Sequence, residues 1–139
     1  MKSSYTICYT SIANTIKQHE IENIFEKTYK HNRDFEIKGI LLYSNETNRF
    51  FQVLEGEKQK VVELYEEKIL KDFRHYEIVE VFHRSTSKPI FGKYSTSFNI
   101  IKTYDDLNKI REYLNKYKYS KPNSEEVLRL LEPFYIFYS

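Results

Sequence analysis

The sequence predicts an α+β fold: a single, mostly antiparallel sheet built in the order βαββαββ, with two helices on one face and a helix-turn-helix extension at the C-terminal end. Three observations predict it. Apolar alternation with a period of two marks residues 5–9, 35–43, 49–54 and 77–82, and more weakly 94–101. Between these lie two segments, 17–29 and 59–70, whose apolar residues recur every three or four positions. Strand, helix, strand, strand, helix, strand, strand is the order of a split βαβ arrangement, which puts both helices on the same side of the sheet.

Each element has its own justification. Tyr5, Ile7 and Tyr9 share one face of the first strand, and Ser11 is placed in the loop after it. Ile21, Ile24, Phe25 and Thr28 line one side of the first helix, which His31-Asn32-Arg33-Asp34 ends. Ser44-Asn45-Glu46-Thr47-Asn48 is a turn of side chains that hydrogen-bond their own backbone, so the second and third strands form an antiparallel hairpin. In the third strand Phe50, Gln52 and Leu54 face one way, Phe51 and Val53 the other. Val61, Val62, Leu64, Tyr65, Ile69 and Leu70 give the second helix its apolar side, closed by Asp72-Phe73-Arg74-His75. After the fourth strand, residues 85–89 read as a polar link. Leu107, Ile110, Leu114 and Tyr117 mark a helix over 104–117, with Asp105 and Asp106 at its positive N-terminal end. A last helix starts at Ser124 and is interrupted or ended by Pro133; the apolar tail 134–138 is expected to dock on the bare face of the sheet or on another subunit.

Composition excludes several classes. Twenty-two Lys and Arg against 20 Asp and Glu leave a formal charge of +2, too small to argue for nucleic acid or an acidic membrane surface. A single cysteine, Cys8, rules out an internal disulfide framework and a cysteine-cluster metal site, and its place in an apolar strand fits a small buried hydrophobe. No secretion signal and no bilayer-length apolar stretch are read, so a cytoplasmic protein is expected.

Gln52 is the anomaly in its strand. A buried amide has an acceptor oxygen and two donor hydrogens to satisfy, and leaving one unpaired costs roughly 1–3 kcal/mol. If the Phe50 and Leu54 face packs on the helices, Gln52 points inward and needs a polar companion, which is either a ligand or another side chain. Tyr9 and Asn32 sit at the inner ends of neighbouring elements. Tyrosine, asparagine and glutamine are poor acids, bases and metal ligands at neutral pH, but suit hydrogen bonding to a heteroaromatic ring that carries its own chemistry. Ile24 and Ile69, on two helices, fit the faces of a flat ligand. Taken singly, Tyr9 is equally a core tyrosine, His31-Asn32 a helix C-terminal cap, and Arg74-His75 a solvated turn.

Four segments at nearly preserved spacing carry a more specific resemblance: Ile7-Cys8-Tyr9-Thr10-Ser11, His31-Asn32 followed by Ile37-Lys38-Gly39-Ile40-Leu41-Leu42-Tyr43, Phe50-Phe51-Gln52-Val53-Leu54-Glu55-Gly56, and Asp72-Phe73-Arg74-His75. With them the chain resembles a BLUF domain of the short stand-alone type, a blue-light sensor using FAD with a ferredoxin-like sheet. The resemblance implies that Tyr9 and Gln52 are the photoactive pair and that Asn32 binds the carbonyl edge of the isoalloxazine. It implies further that Ile24 and Ile69 clamp the ring, and that Thr28, His31, Phe50, Asp72, Arg74 and His75 complete the site. The chain departs from the family after Phe91: Tyr94 and Thr96 occupy the signalling positions, the methionine often found there is absent, and Pro89 stands where an arginine is expected.

In the implied mechanism, blue light excites the flavin, which draws an electron and a proton from Tyr9 with Gln52 as relay. The Gln52 amide then rotates or tautomerises and inverts the local network. FAD is the expected flavin, with FMN and riboflavin as alternatives, because a pocket gripping mainly the isoalloxazine gains little from the adenylate end. The expected layout is a photosensor domain over 1–101 and a helical extension over 102–139. It is expected to act as a non-enzymatic, homo-oligomeric sensor that signals to a separate protein of unknown identity. The main rival is a nonphotoactive ferredoxin-like module binding flavin or another planar metabolite; a second, an RNA-binding sheet with stacking aromatics, fits the balanced charge poorly.

Overall fold

Two apolar faces on one sheet organise the chain in the computed structural model, which describes residues 4–14, 17–92, 94, 98–121 and 123–138. The strands are β1 (Ser4–Ala13), β2 (Lys38–Ser44), β3 (Arg49–Gly56), β4 (His75–Thr86) and β5 (Asn99–Ile101). They lie in the order β4-β1-β3-β2-β5; all neighbours are antiparallel except β2 and β5, which are parallel. The helices are α1 (Gln18–Asp34), α2 (Lys58–Leu64, continuing as a π-helical turn over Tyr65–Ile69), α3 (Tyr104–Tyr117) and α4 (Ser124–Tyr138).

Alternation sorts the core. Ile7 and Tyr9 on β1, Leu41 on β2, and Phe50 and Leu54 on β3 pack with Ile21 and Phe25 of α1 and Val61 and Tyr65 of the second helix. Cys8, Ile40, Leu42, Phe51 and Val53 point to the opposite side, where Leu107, Ile110 and Leu114 of α3 and Val127, Leu131 and Phe134 of α4 cover them. Gly39 is required at φ 135°, since a Cβ there would lie 1.9 Å from the Val53 carbonyl oxygen.

The element boundaries correct the sequence reading in several places. β1 runs on through Ser11, which pairs with Phe50 rather than lying in a loop. α1 continues through His31 and Asn32 to Asp34, so Asn32 is no C-terminal cap; the left-handed position is Glu36, at φ 55°. Phe35 and Glu36 make that turn, and β2 therefore starts at Lys38. β4 runs past its predicted end at residue 82 through residue 86, into the predicted polar link 85–89, because ladder bonds to β1 need no apolar side chains on an edge strand. Among the described residues of the predicted fifth strand, Asn99–Ile101 is regular and Tyr94 sits in a turn.

Phe134 and Tyr135 of the tail, within α4, pack on the face of the sheet opposite α1 and α2. α4 passes through Pro133 instead of stopping there. An internal proline costs about 3 kcal/mol, and burial of the Leu131 and Phe134 side chains, each worth roughly 1.5–3 kcal/mol, offsets it. Phe134 meets Phe51 edge-on at 6.1 Å between ring centroids.

Candidate functional site

A cavity of about 250 Å³ opens between α1, the π-helical turn and the helix-covered face of the sheet. Every residue assigned to the site from the sequence lines it: Tyr9, Ile24, Thr28, His31, Asn32, Phe50, Gln52, Ile69, Asp72, Arg74 and His75. The signalling position Tyr94 does not line the cavity. Tyr94 lies in the turn after Phe91, and Thr96 is outside the described residues.

Strand register brings the polar floor together. Tyr9 and Gln52 are cross-strand partners on β1 and β3, and Gln52 pairs with Leu41 on β2, so all three side chains share the cavity face. The Tyr9 hydroxyl donates to Gln52 Oε1 at 2.5 Å. Burial pushes the Tyr9 phenol well above its ordinary pKa, with the nearby Tyr65 and Asp72 adding to the shift, so it is a neutral donor. Accepting at Oε1 leaves the Gln52 amide nitrogen as the end that faces the cavity without a hydrogen-bond partner among the described residues.

Asn32 has the same unfinished character. The side chain is fully buried in the last turn of α1. Its Oδ1 accepts from His31 Nδ1 at 3.1 Å, while its Nδ2 is buried with no partner among the described residues. A buried amide donor left unpaired costs about 1–3 kcal/mol, and a bound acceptor removes that cost.

The far wall is charged and fixed. Arg74 forks onto Asp72, with Nη2 to Oδ2 at 2.7 Å and Nε to Oδ1 at 3.0 Å. Burial alone would raise the Asp72 pKa, but the Arg74 hydrogen bonds and charge outweigh it and hold the carboxyl below its usual range. Both ring nitrogens of His75 are engaged: Nε2 donates to the Ile69 carbonyl and, in the neutral ring, Nδ1 accepts from Ser11 Oγ, each at 2.7 Å.

Four lining residues escaped the sequence reading: Lys27, Leu41, Leu64 and Lys68. The spacing of Ile24, Thr28 and His31 on one helix face places Lys27 beside them, and strand register places Leu41 beside Gln52. Leu64 and Ile69 are harder, because an α-helical period does not stack residues five apart. The π-helical turn does: Leu70 N donates to Tyr65 O at 2.8 Å, widening the helix so that positions i and i+5 face the cavity together.

This donor set fits a flavin. Apolar Ile24, Leu64 and Ile69 suit the faces of a flat ring, and the buried Asn32 donor and the open end of the Gln52 amide suit a ring edge bearing carbonyl acceptors. Among the described residues no cluster of His, Cys, Asp or Glu could hold a metal ion, and no helix is long and apolar enough to cross a membrane.

Comparison with known proteins agrees. Among curated proteins, none matches the chain. Of solved structures, the BLUF domain of BlrP1 superposes with a TM-score of 0.71 at 25% identity, covering 96% of this chain and 90% of that one. Klebsiella pneumoniae BlrP1 with FMN and cyclic diGMP gives 0.65 at 26% identity, over 96% of this chain and 34% of that one. A bacterial light-regulated adenylyl cyclase gives 0.62 at 28% identity, over 94% and 34%. This chain thus spans about a third of the two longer relatives. The family described as BLUF, sensors of blue-light using FAD, matches residues 5–97. The chain belongs to the BLUF family of flavin-binding blue-light sensors.

Proposed function

We propose that Tyr9 and Gln52 are the photoactive pair of this sensor, and that the remaining predicted site residues hold its flavin. The observation that carries the reading is the buried 2.5 Å hydrogen bond from the Tyr9 hydroxyl to Gln52 Oε1, set in a cavity whose other amide, Asn32, has an unpaired donor. When bound, the flavin supplies blue-light absorption and accepts an electron. Asn32 Nδ2 donates to its carbonyl edge, Ile24 and Ile69 pack on the ring, and Thr28, His31, Phe50, Asp72, Arg74 and His75 complete the enclosure. Tyr9 releases an electron and its hydroxyl proton, and the Gln52 amide relays that proton. As the Tyr9 hydroxyl ceases to donate to Oε1, the Gln52 amide loses what fixes its orientation and reorganises, exchanging its donor and acceptor ends without net charge transfer.

The output reaches α3 and α4. The Tyr94 ring lies 4.8 Å from Tyr113 of α3 and 6.2 Å from Phe91, which supports Tyr94 as a signalling residue; Thr96 is proposed beside it from its sequence position alone. Residues 1–101 then act as the flavin-binding unit and 102–139 as the output extension, whose helices cover the face opposite the cavity. The chain works as a sensor rather than an enzyme, passes its signal to a downstream effector and associates with copies of itself. FAD is the flavin of choice by family; the BlrP1 complex with FMN supports a site that accepts either.

Absorption spectra in the dark and under blue light test the reading. The flavin-loaded protein should show a reversible red shift, and Tyr9→Phe should bind flavin without it. A normal shift in Tyr9→Phe removes the pair assignment; a flavin-loaded parent with no shift leaves the rival, a nonphotoactive flavin-binding module.

A further inference from the structure

We propose that Tyr9, Tyr65 and Tyr5 form a relay that carries an oxidising equivalent away from the cavity, with Glu80 and His83 taking up the protons. Tyr9 and Tyr5 lie on the same face of β1, and Tyr65 opens the π-helical turn above them. The Tyr9 and Tyr65 ring centroids are 5.6 Å apart, Tyr65 is 5.8 Å from the His83 ring, and His83 is 5.1 Å from Tyr5. These contacts make an unbroken aromatic path from the floor of the cavity to β4, the sheet edge.

Proton chemistry gives the path its direction. A phenol gives up an electron readily only where its proton leaves at the same time. The Tyr9 hydroxyl faces an amide oxygen, which is a very weak base. Tyr65 donates at 3.0 Å to Glu80 Oε2, and a carboxylate is a stronger base than an amide oxygen. The Tyr5 hydroxyl lies 2.5 Å from His83 Nδ1, and an imidazole is a stronger base than a carboxylate. Acceptor basicity therefore rises from Tyr9 to Tyr65 to Tyr5, and oxidation becomes easier in that order.

The steps balance, and they rest on the reading that Tyr9 is the electron donor to bound, light-excited flavin. Tyr9 loses one electron. Where Tyr65 replaces it before the hydroxyl proton leaves through Gln52, Tyr9 keeps that proton, while the Tyr65 proton passes to Glu80 Oε2. Tyr5 then reduces Tyr65, Glu80 returns the proton to the Tyr65 oxygen, and the Tyr5 proton passes to His83 Nδ1. Recombination at Tyr9 competes with escape along this path, so the relay sets what share of the absorbed light ends as separated charge.

Electron paramagnetic resonance of the illuminated, flavin-loaded full chain tests this, with tyrosyl radical lifetime as the readout. Removing a positioned proton acceptor costs about a hundredfold, and Glu80→Gln and Tyr65→Phe should each shorten the radical lifetime by that order. Deuterated solvent should slow radical formation in the parent but not in Glu80→Gln, a signature a packing role would not give. A flavin-free arm oxidises the full chain with photogenerated tris(bipyridine)ruthenium(III) and maps tyrosine adducts by mass spectrometry. There His83→Leu should cut adducts on Tyr5 about a hundredfold and leave those on the exposed Tyr119 unchanged. A parent with a normal red shift whose radical lifetime is the same in both variants overturns the relay and leaves the photoactive pair standing. A parent with no red shift overturns the pair instead, and the ruthenium arm then decides the relay: equal Tyr5 adducts with and without His83 sink it.

Discussion

Gln52 and Glu55 are both buried polar side chains on β3, with exposures of 3% and 2%, yet they are solved in opposite ways. Glu55 faces the α3 and α4 side and is complete. Its Oε2 accepts from Thr6 Oγ1 at 2.9 Å and from Ile90 N at 2.7 Å, and its Oε1 accepts from Phe91 N at 2.7 Å. Gln52 lines the cavity with one side-chain hydrogen bond among the described residues, from Tyr9, and an amide nitrogen without a partner among them. A satisfied buried polar group ties structure together; an unsatisfied one that borders a cavity is waiting for a partner. Glu55 binds the segment entering the turn of Tyr94, and Lys38, Tyr113 and Lys121 hold the same segment through the carbonyls of residues 89–92.

The largest effect expected from this contrast is on Glu55→Ala. It orphans two buried backbone donors and a threonine hydroxyl, and chemical unfolding should show a loss of about 3–5 kcal/mol. A loss under about 1 kcal/mol would mean that Glu55 is no tie at all and the contrast collapses.

Asn32→Ala comes next. Its donor has no protein partner, so the flavin-free protein should keep its unfolding midpoint, while flavin titration should show binding weaker by about 1–3 kcal/mol, or roughly five- to 150-fold. Equal loss in both measurements would make Asn32 structural.

Gln52→Leu should be milder still for the flavin-free fold, within about 1 kcal/mol of the parent, because the amide makes a single bond. Flavin should remain bound and the red shift should vanish. A parent-like shift on illumination would move Gln52 to the side of Glu55.

The smallest effect sharpens the comparison through pH. Burial raises the Glu55 pKa above its ordinary 4.5, against the pull of the Phe91 and Ile90 N–H groups, Thr6 and Lys121. A carboxyl that holds its proton more tightly when folded favours the fold below its ordinary pKa. That contribution is lost as pH rises from 4.5 through the raised native value. Unfolding of Glu55→Gln, measured across the same range, should lack that downward slope; an identical slope in parent and variant would assign it to another group.

Sequence by itself determined the strand and helix order and which face each strand residue takes, because periods of 2 and 3.6 are local properties of the chain. It also singled out Tyr9, Asn32 and Gln52, since polar groups on apolar elements stand out wherever they are, and the matching segments assigned them to a family. Only tertiary structure decided how these residues are completed. The sequence contains Glu55 as plainly as Gln52, but its partners on residues 90 and 91 come from a distant segment folded against β3. Lys27 and Lys68 read as ordinary solvated charges until two helices frame a cavity, and Leu64 joins Ile69 there through a π-helical turn with no periodic signature. The length of β4 was equally invisible, because backbone ladder bonds form with β1 whatever side chains residues 83–86 carry. Pro133 looked like a stop for the same reason. Local propensity ends a helix at proline, and only the packing of Phe134 and Tyr135 against α3 and the sheet carries α4 past it.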